Sequence, residues 1–100
     1  MLKVVLRQKA EADLVRIIEY TKVRWGEVQA KRYLEDLRAR IEFAAEFPGT
    51  GSEATGLPSQ YRKIKLASHR AIYRCTNSDL IVVRVVHERE DVPDDIEDLW

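Results

Sequence analysis

The sequence has one cysteine, Cys75, among its 100 residues, and no long apolar run. A single cysteine excludes a disulfide within the chain and is typical of a reducing cytoplasm. The longest apolar stretch, residues 80–86, is interrupted by Arg84 and is far too short to span a bilayer, which takes about 20 residues. The N-terminal segment turns charged by Lys9 and has no small-residue cleavage site. We therefore expect no signal peptide and a cytoplasmic location.

Histidine, glycine and proline are also scarce, and their positions limit the chemistry. His69 and His87 lie eighteen positions apart, with no thiol or carboxylate at ligand spacing, so we expect neither a metal site nor a cofactor. Two of the three prolines and three of the four glycines fall within residues 47–59, FPGTGSEATGLPS. This segment lacks the Gly-Lys-Ser/Thr ending of a phosphate-binding loop. We interpret it as a mobile connector with no chemistry of its own.

The chain has no net charge, with 17 basic and 17 acidic side chains, but the two signs are separated along it. Residues 60–87 contain six Lys or Arg and one acid, Asp79, whereas residues 88–100 contain seven acids and one base, Arg89. This asymmetry is typical of a surface that binds a polyanion or an acidic partner. The alternative is that the basic segment and the acidic tail simply compensate each other.

Apolar periodicity predicts a strand and two helices in the first half of the chain. Residues 2–6, LKVVL, are typical of a β-branched strand. The next segment has apolar residues at helical spacing up to Trp25, with Asp13 among the charged residues of the opposite side. Gly26 ends this helix and a second helix starts directly after it, which predicts a helical hairpin with a very tight connection. We expect Trp25 and Tyr33 to be packing anchors near that connection.

The second half predicts an antiparallel meander of three strands, at 61–66, 69–75 and 80–86, joined by tight turns. Side chains alternate between the faces of a strand, so we expect the helical hairpin to cover the face without arginine. The other face would stay exposed, because no third layer remains to cover it, and arginine mixed with apolar side chains is typical of a protein-binding surface. We expect Ala71, Tyr73, Cys75, Ile81, Val83, Val85 and His87 on the covered face, and Arg70, Ile72, Arg74, Leu80, Val82, Arg84 and Val86 on the exposed one.

Five short motifs follow one another at characteristic spacings: D-L-x-x-I-x-x-Y, W-G-x-x-Q-A-x-x-Y, P-x-x-G, H-x-x-x-Y-R and R-V-x-H. Together with the order of the elements, this set resembles the ParE toxins of the ParE/RelE superfamily over nearly the whole chain. The matching residues are Asp13, Leu14, Ile17, Tyr20, Trp25, Gly26, Gln29, Ala30, Tyr33, Pro48, Gly51, His69, Tyr73, Arg74, Arg84, Val85 and His87.

The resemblance implies an α+β fold of two layers, with an N-terminal strand and a helical hairpin packed on an antiparallel sheet of three to four strands. It implies one toxin domain over residues 1–100, from a type II toxin–antitoxin system. Toxins of the ParE type are understood to inhibit DNA gyrase by binding it, and a ParD-like antitoxin neutralises them. We accordingly expect no enzyme activity, no sequence-specific nucleic-acid binding by the toxin alone, and no membrane association.

Relatives of the RelE type cut mRNA in the ribosome, so we also consider a nuclease. Cleavage by attack of the RNA's own 2′-hydroxyl needs a base, a phosphate clamp and an acid. The acids that follow His87 would repel RNA, and the basic C-terminal stretch of the RelE-like nucleases is absent here. We therefore expect no catalytic residue, and a degenerate toxin that only binds its antitoxin is the third hypothesis. The nuclease candidates are His87 or Glu90 as base, Arg84, Lys63 or Lys65 as clamp, and Tyr73 or His69 as acid.

Two sets of binding residues follow from the exposed face and the acidic tail. For the antitoxin we predict charge-assisted contacts on the open sheet face, and for the target we predict the C-terminal stretch. The antitoxin-binding residues are Arg62, Arg70, Ile72, Arg74, Val82 and Arg84, and the target-binding residues are His87, Arg89, Glu90 and Trp100.

Overall fold

Strand β1 (Lys3–Leu6) is followed at once by two helices, α1 (Gln8–Trp25) and α2 (Glu27–Glu46). Gly26 alone joins the helices, and its φ of 91° lies in the left-handed region that glycine adopts without steric cost. The tight helical hairpin is thus confirmed. After a short 3-10 helix, Pro48–Thr50, come strands β2 (Ser52–Glu53), β3 (Arg62–Leu66), β4 (His69–Cys75) and β5 (Asp79–His87). This computed structural model describes residues 1–91, 93 and 96.

The strands form one sheet in the order β1-β5-β4-β3-β2, with both helices packed on one face. The predicted α+β fold, a helical hairpin on a sheet, is confirmed. The sheet has five strands rather than three to four, and it is mixed, because β1 runs parallel to β5. A parallel pair needs a long crossover connection, and the helical hairpin that follows β1 begins it.

The core under the helices corrects two predictions about helix α1. Asp13 is only 2% exposed, although the sequence places it among the charged residues of the outer side. Trp25, predicted to be a packing anchor, is 67% exposed. Tyr33 does pack at the edge of this core. Periodicity assigns side chains to the faces of a helix, but it does not show where the helix runs past the end of the sheet.

A register shift in the β4–β5 pair changes which side chains of β5 face the helices. Ile72 pairs with Arg84 but Tyr73 pairs with Val82, so Val83 is an extra residue in β5. Such a bulge breaks the alternation of faces in one strand only. The predicted faces of β5 are therefore inverted before the bulge: Leu80 and Val82 pack under the helices, whereas Ile81 and Val83 pack on the opposite side. The prediction is confirmed for Ala71, Tyr73, Cys75 and Val85.

The opposite face of the sheet is covered, so the predicted open face is wrong. Ala54, Leu57, Tyr61 and Ile96 pack there against the apolar side chains of the strands, in a second core. The connector at 47–59, predicted to be mobile, contributes β2 and part of this cover, because it contains apolar side chains between its prolines and glycines. The covered strand residues are Ile72, Ile81, Val83 and Val86.

The connector is also held to the sheet at its start. The hydroxyl of Tyr73 donates a hydrogen bond to the carbonyl oxygen of Pro48 and accepts one from the amide of Gly51, each at 3.1 Å. Burial raises the pKa of the Tyr73 phenol, while the hydrogen bond from Gly51 opposes the rise. The P-x-x-G motif therefore positions two backbone groups around one buried tyrosine.

Candidate protein-binding groove

A groove of about 630 Å³ opens between the helical hairpin and the sheet, where β4 begins and β5 ends. Helix α1 forms one wall, and the first turns of α2 close one end. Most of the resemblance motifs meet in it, although they are far apart in the sequence. The motif residues that line the groove are Asp13, Ile17, Tyr20, Trp25, Gln29, Tyr33, His69, Arg84, Val85 and His87.

The floor of the groove is an ion pair between Asp13 of α1 and Arg84 of β5. The Arg84 guanidinium donates from Nε to Oδ2 at 2.7 Å and from a terminal nitrogen to Oδ1 at 3.0 Å. The backbone N–H of Val85 donates to Oδ2 at 2.9 Å, and Arg16 contacts Oδ1 from the groove rim. Such a bidentate, charge-assisted arrangement fixes both side chains. The carboxylate therefore accepts one backbone and three side-chain hydrogen bonds.

The position of Asp13 follows from the length of β1. Strand β1 pairs with β5 only as far as Leu6 and Val82, so the edge of β5 beyond this point lacks a strand neighbour. Helix α1 begins there, and the carboxylate of Asp13 accepts the amide of Val85 that a longer β1 would have paired. Buried backbone donors need such partners. The sequence signal for this contact is the spacing of Asp13 from Ala10 and Ile17 along the buried face of α1, although the charge of Asp13 favours the outer side.

Above this floor, His69, His87 and Tyr33 form an aromatic cluster. His69 and His87 pair across β4 and β5, with ring centroids 5.3 Å apart and planes at 79°. Tyr33 Oη lies 2.6 Å from His69 Nδ1. Burial and the neighbouring His87 lower the pKa of His69, although Glu90 and Glu88 oppose the shift. His69 is therefore held mainly neutral near pH 7, which suits its hydrogen bond to Tyr33.

This pKa shift predicts that the protein loses stability in mild acid. A histidine whose folded pKa lies below its ordinary value of 6.5 binds more protons when the chain is unfolded. Stability is then fully present above that value and is lost as the pH falls toward the lower folded pKa. We expect His69→Gln, which cannot titrate, to lose less stability between about pH 7.5 and 5.5 than the wild type does. Urea unfolding at both pH values measures this, and equal losses in the two proteins would contradict the role of His69.

His87 ends strand β5 at a tight turn, where hydrogen bonds to its neighbours orient it. Its backbone N–H donates to Glu90 Oε1 at 3.1 Å, and its Nδ1 accepts from the amide of Arg89 at 3.1 Å. Lys65 pairs with Glu88 at 2.9 Å and lowers the pKa of that carboxyl. Each of five side chains nominated for nuclease chemistry is thus held by a hydrogen bond, a ring contact or an ion pair. The five are His87, Glu90, Arg84, His69 and Lys65.

Exposed apolar side chains surround the connection of the two helices, next to the groove. We call Tyr20, Val23, Trp25 and Val28 the hairpin-tip patch; each is more than 60% exposed. The guanidinium of Arg24 lies within 6.0 Å of the ring centroids of both Tyr20 and Trp25, as in cation–π contacts. Clustered exposed aromatic side chains indicate a protein-binding surface. The sequence pattern does not predict this patch, because an aromatic residue at helical spacing, such as Trp25, favours a core position.

Two of the predicted target-binding residues line the groove, His87 and Glu90, and Arg89 is exposed in the same turn. Trp100 lies outside the described residues.

The predicted antitoxin-binding residues are divided among several environments. Arg62 is exposed and donates to the carbonyl of Gly51 at 2.6 Å, whereas Arg70 and Arg74 are half-buried. Ile72 and Val82 are buried in different cores, and Arg84 is paired in the groove floor, so none of these three lies on an open face.

Across residues 1–91, 93 and 96, no cluster of three or more His, Cys, Asp or Glu side chains is placed to hold a metal ion. Among the same residues, neither helix combines the length and apolarity of a membrane span.

Known proteins resemble this chain in both sequence and fold. Residues 4–92 match the family model for the ParE toxin of the type II toxin–antitoxin system parDE. The chain is 41% identical over 88 residues to toxin ParE1 of Mycobacterium tuberculosis. The matched region covers 87% of this chain and 90% of that protein. It is 39% identical over 83 residues to toxin ParE1 of Caulobacter vibrioides, covering 83% of this chain and 85% of that one.

Solved structures show the same fold at lower identity. A chain of the chromosomal ParDE toxin–antitoxin system from Pseudomonas aeruginosa superimposes with a TM-score of 0.74 at 19% identity, covering 87% of this chain and 96% of that one. A chain of the toxin–antitoxin complex RelBE2 from M. tuberculosis gives a TM-score of 0.58 at 17% identity, covering 86% and 96%.

Proposed function

Since this chain belongs to the ParE toxin family of type II toxin–antitoxin systems, we propose that it inhibits DNA gyrase by binding it and that a ParD-like antitoxin neutralises it. The contact surface for gyrase in this proposal is the groove together with the hairpin-tip patch. The observation that carries the proposal is the continuity of these two features. Tyr20 and Trp25 belong to the groove wall and to the hairpin-tip patch at once, and Arg24, which also lines the groove, contacts both rings.

The composition of this surface suits protein binding. Tryptophan, tyrosine and arginine dominate the energetics of protein interfaces, and all three occur at the hairpin tip in mutual contact. The groove beside them is large enough for a side-chain anchor or a short peptide segment. Its polar floor, Asp13 with Arg84, is already paired and would give the groove a rigid shape rather than a reactive group.

The antitoxin would add a second, charge-based contact through arginines that do not line the groove. Arg62, Arg70 and Arg74 are the predicted antitoxin-binding residues that keep some exposure. A charge-assisted hydrogen bond between one of them and an antitoxin carboxylate contributes about 1.5–3 kcal/mol when shielded from water. A solved relative is a ParDE toxin–antitoxin system, which supports an antitoxin of this kind.

The nuclease alternative keeps one favourable observation, the His69–His87–Tyr33 cluster in the groove. Purified toxin should be incubated with gyrase and supercoiled plasmid, and in parallel with mRNA-programmed ribosomes. We expect linear DNA from trapped gyrase complexes and intact mRNA. Ribosome-dependent mRNA cuts that disappear in His87→Ala, with gyrase unaffected, would replace the proposal by the nuclease alternative.

Replacing Trp25 by alanine should weaken gyrase poisoning strongly without unfolding the protein. The side chain is mostly exposed, and surface substitutions usually change stability by about 0.5 kcal/mol or less. The loss of an interface anchor costs about 2 kcal/mol or more, or roughly a 30-fold loss of affinity. We expect Trp25→Ala to shift the toxin concentration for half-maximal DNA cleavage by that factor.

The matched control for Trp25→Ala is Phe43→Ala, which removes a partly exposed aromatic side chain of α2 that lines no part of the groove. It should poison gyrase like the wild type. Equal potency of the Trp25→Ala variant would exclude the hairpin tip from the contact.

A further inference from the structure

Helix α1 brings two arginines, Arg16 and Arg24, to the wall of the groove, and both are exposed. Eight residues separate them, so they lie about 12 Å apart along one stripe of the helix. Tyr20 stands between them, one turn from each, and it also lines the groove. The wall therefore presents a cation, an aromatic ring and a second cation in one row.

Arg16 is the second guanidinium on a carboxylate that Arg84 already pairs. Asp13 accepts two hydrogen bonds from Arg84 and one from the amide of Val85, and Arg16 contacts it in addition. The side chain of Arg16 is 66% exposed, and an ion pair in such a position contributes little to stability. Arg16 can therefore turn to the carboxylate of a partner while the Asp13–Arg84 pair keeps the floor intact.

Arg24 has ring contacts instead of an ion pair. Its guanidinium lies 5.8 Å from the ring centroid of Tyr20 and 6.0 Å from that of Trp25. In the part of the chain that the structure describes, it pairs with no carboxylate. A guanidinium beside aromatic rings keeps the N–H donors at the edge of its plane. Arg24 is thus placed to donate to an anion without leaving the rings.

The charges that line the groove are unevenly distributed. They comprise three arginines, Arg16, Arg24 and Arg84, and two carboxylates, Asp13 and Glu90. Asp13 and Arg84 compensate each other on the floor, and Glu90 belongs to the turn after β5, where it accepts the backbone N–H of His87. The α1 wall keeps an excess of positive charge, which favours an occupant whose acids face that wall.

The size of the groove favours an extended occupant. In an extended segment, side chains at alternate positions point to the same side, and residues four positions apart are about 13 Å apart. A helix of similar length, about 10 Å wide, would fill about 900 Å³, whereas the groove has about 630 Å³. A segment with an acid, an apolar residue and a second acid at alternate positions matches the row Arg16, Tyr20, Arg24.

A protein segment fits this row better than a nucleic-acid backbone does. Binding to DNA depends on several cations that follow the phosphates, but Glu88, Glu90 and Asp91 stand where β5 ends beside the groove. The chain as a whole has no net charge. Two carboxylates need only two cations, and an aromatic ring between these cations offers a contact to an apolar side chain.

We propose that an acidic segment of gyrase enters the groove in extended form, with two carboxylates paired to Arg16 and Arg24 and the apolar residue between them packed on Tyr20. This inference rests on the proposed function, because it takes gyrase as the partner. It adds the chemistry of the segment that the groove selects and the two charges that select it.

Substitution of the two arginines tests them separately. We expect Arg24→Glu and Arg16→Gln each to weaken the affinity of the full-length toxin for the gyrase holoenzyme at least about tenfold, in surface plasmon resonance with and without a bound DNA duplex. Arg24→Lys, which keeps the charge, should lose less. The matched control is Arg32→Glu, because Arg32 is an exposed arginine of α2 that does not line the groove. It should bind like the wild type.

The ionic strength provides a second readout. The affinity of the wild type should fall as the salt concentration rises from about 0.05 to 0.5 M, because salt screens exposed charge pairs. The double variant Arg16→Gln/Arg24→Glu should show a flatter dependence. An equal dependence in both proteins would contradict pairing of these arginines with gyrase.

Photocrosslinking identifies the segment itself. With the photoreactive p-benzoylphenylalanine in place of Tyr20, mass spectrometry of the crosslinked gyrase peptide locates the residue that packs there. We expect Asp or Glu two positions before and two positions after that residue. A crosslinked peptide without acids in these positions would overturn the inference.

The outcomes separate this inference from the proposed function. If the wild-type toxin traps gyrase and the variants of Arg16 and Arg24 bind gyrase like the wild type, the inference is overturned and the proposed function stands. Crosslinks to DNA, or a loss of affinity only when DNA is present, would overturn it in favour of phosphate contacts. Weaker binding of the antitoxin with unchanged binding of gyrase would overturn it as well. A wild-type toxin that neither binds nor traps gyrase contradicts both.

Discussion

Replacing Asp13 by alanine is expected to lower the free energy of unfolding by about 3–5 kcal/mol, the cost of removing one partner of a buried ion pair. The carboxylate is 2% exposed and accepts hydrogen bonds from Arg84 and from the amide of Val85. Its removal leaves the largely buried guanidinium of Arg84 without a countercharge, and it leaves the backbone N–H of Val85 without an acceptor. For a domain of this size, each kcal/mol lowers Tm by about 4–8 °C, so we expect a decrease of at least about 12 °C in a thermal melt.

Asp36→Ala is the matched control, because Asp36 is an exposed aspartate of α2. Its effect should stay within about 0.5 kcal/mol. Combining Asp13→Ala with Arg84→Met should recover part of the lost stability, since it also removes the charge that the carboxylate compensated. If the Asp13 and Asp36 variants melt alike, the buried pair does not hold α1 to β5.

Gly51→Ala is expected to destabilise the protein by about 2–4 kcal/mol through overpacking and a damaged hydrogen-bond pair. A Cβ at this position would lie 2.3 Å from Tyr73 Oη and 2.8 Å from the carbonyl oxygen of Lys63. The tyrosine is 1% exposed and its ring is packed in the core, so it has little room to move. Urea unfolding measures the loss.

Gly49→Ala is the control for this substitution, because a Cβ there meets no atom within 4 Å. It should be neutral or slightly stabilising, since alanine reduces the freedom of the unfolded chain by about 0.4–1 kcal/mol. Adding Tyr73→Phe to Gly51→Ala should give less than the sum of the two effects, because the phenylalanine lacks the oxygen that clashes. Strict additivity would show that the clash is relieved elsewhere.

The P-x-x-G motif is visible in the sequence, but the hydrogen-bond partner of Gly51 is not. Pro48 and Gly51 form a motif at fixed spacing, but the prolines and glycines of the segment around them predict a mobile connector. The structure shows that both backbone groups bind Tyr73, a residue more than twenty positions away. Spacing along a chain reports a repeated local pattern, whereas the partner of that pattern is decided by packing.

The assignment of faces failed for a related reason. Alternation predicts the faces of β4 correctly, and it predicts those of β5 correctly only after the bulge, at Val85 and Val86. A single extra residue at Val83 inverts the pattern of Leu80, Ile81 and Val82. The composition of β5 contains no signal for this bulge, since Leu80–Val83 are apolar on both faces and either register buries them.

The candidate site was partly predictable. The motifs named most residues of the groove, and His87 and Glu90 were assigned to target binding before their neighbours were known. The hairpin-tip patch was missed because an aromatic residue in an apolar stripe favours a core position. Asp13 was missed because a buried aspartate and an exposed one look alike until the length of β1 is compared with that of β5.

The sequence by itself determined the two helices, the tight turn at Gly26, the meander and the family, because these depend on local periodicity and on motif spacing. Only the tertiary structure decided which charges are buried, which face of the sheet is covered and where the open edge lies. The burial of Asp13 depends on β1 ending before β5 does, and the covered face depends on the connector packing back over the sheet. Beyond the end of β1, the carboxylate of Asp13 takes the place of a strand neighbour and accepts a hydrogen bond from the amide of Val85.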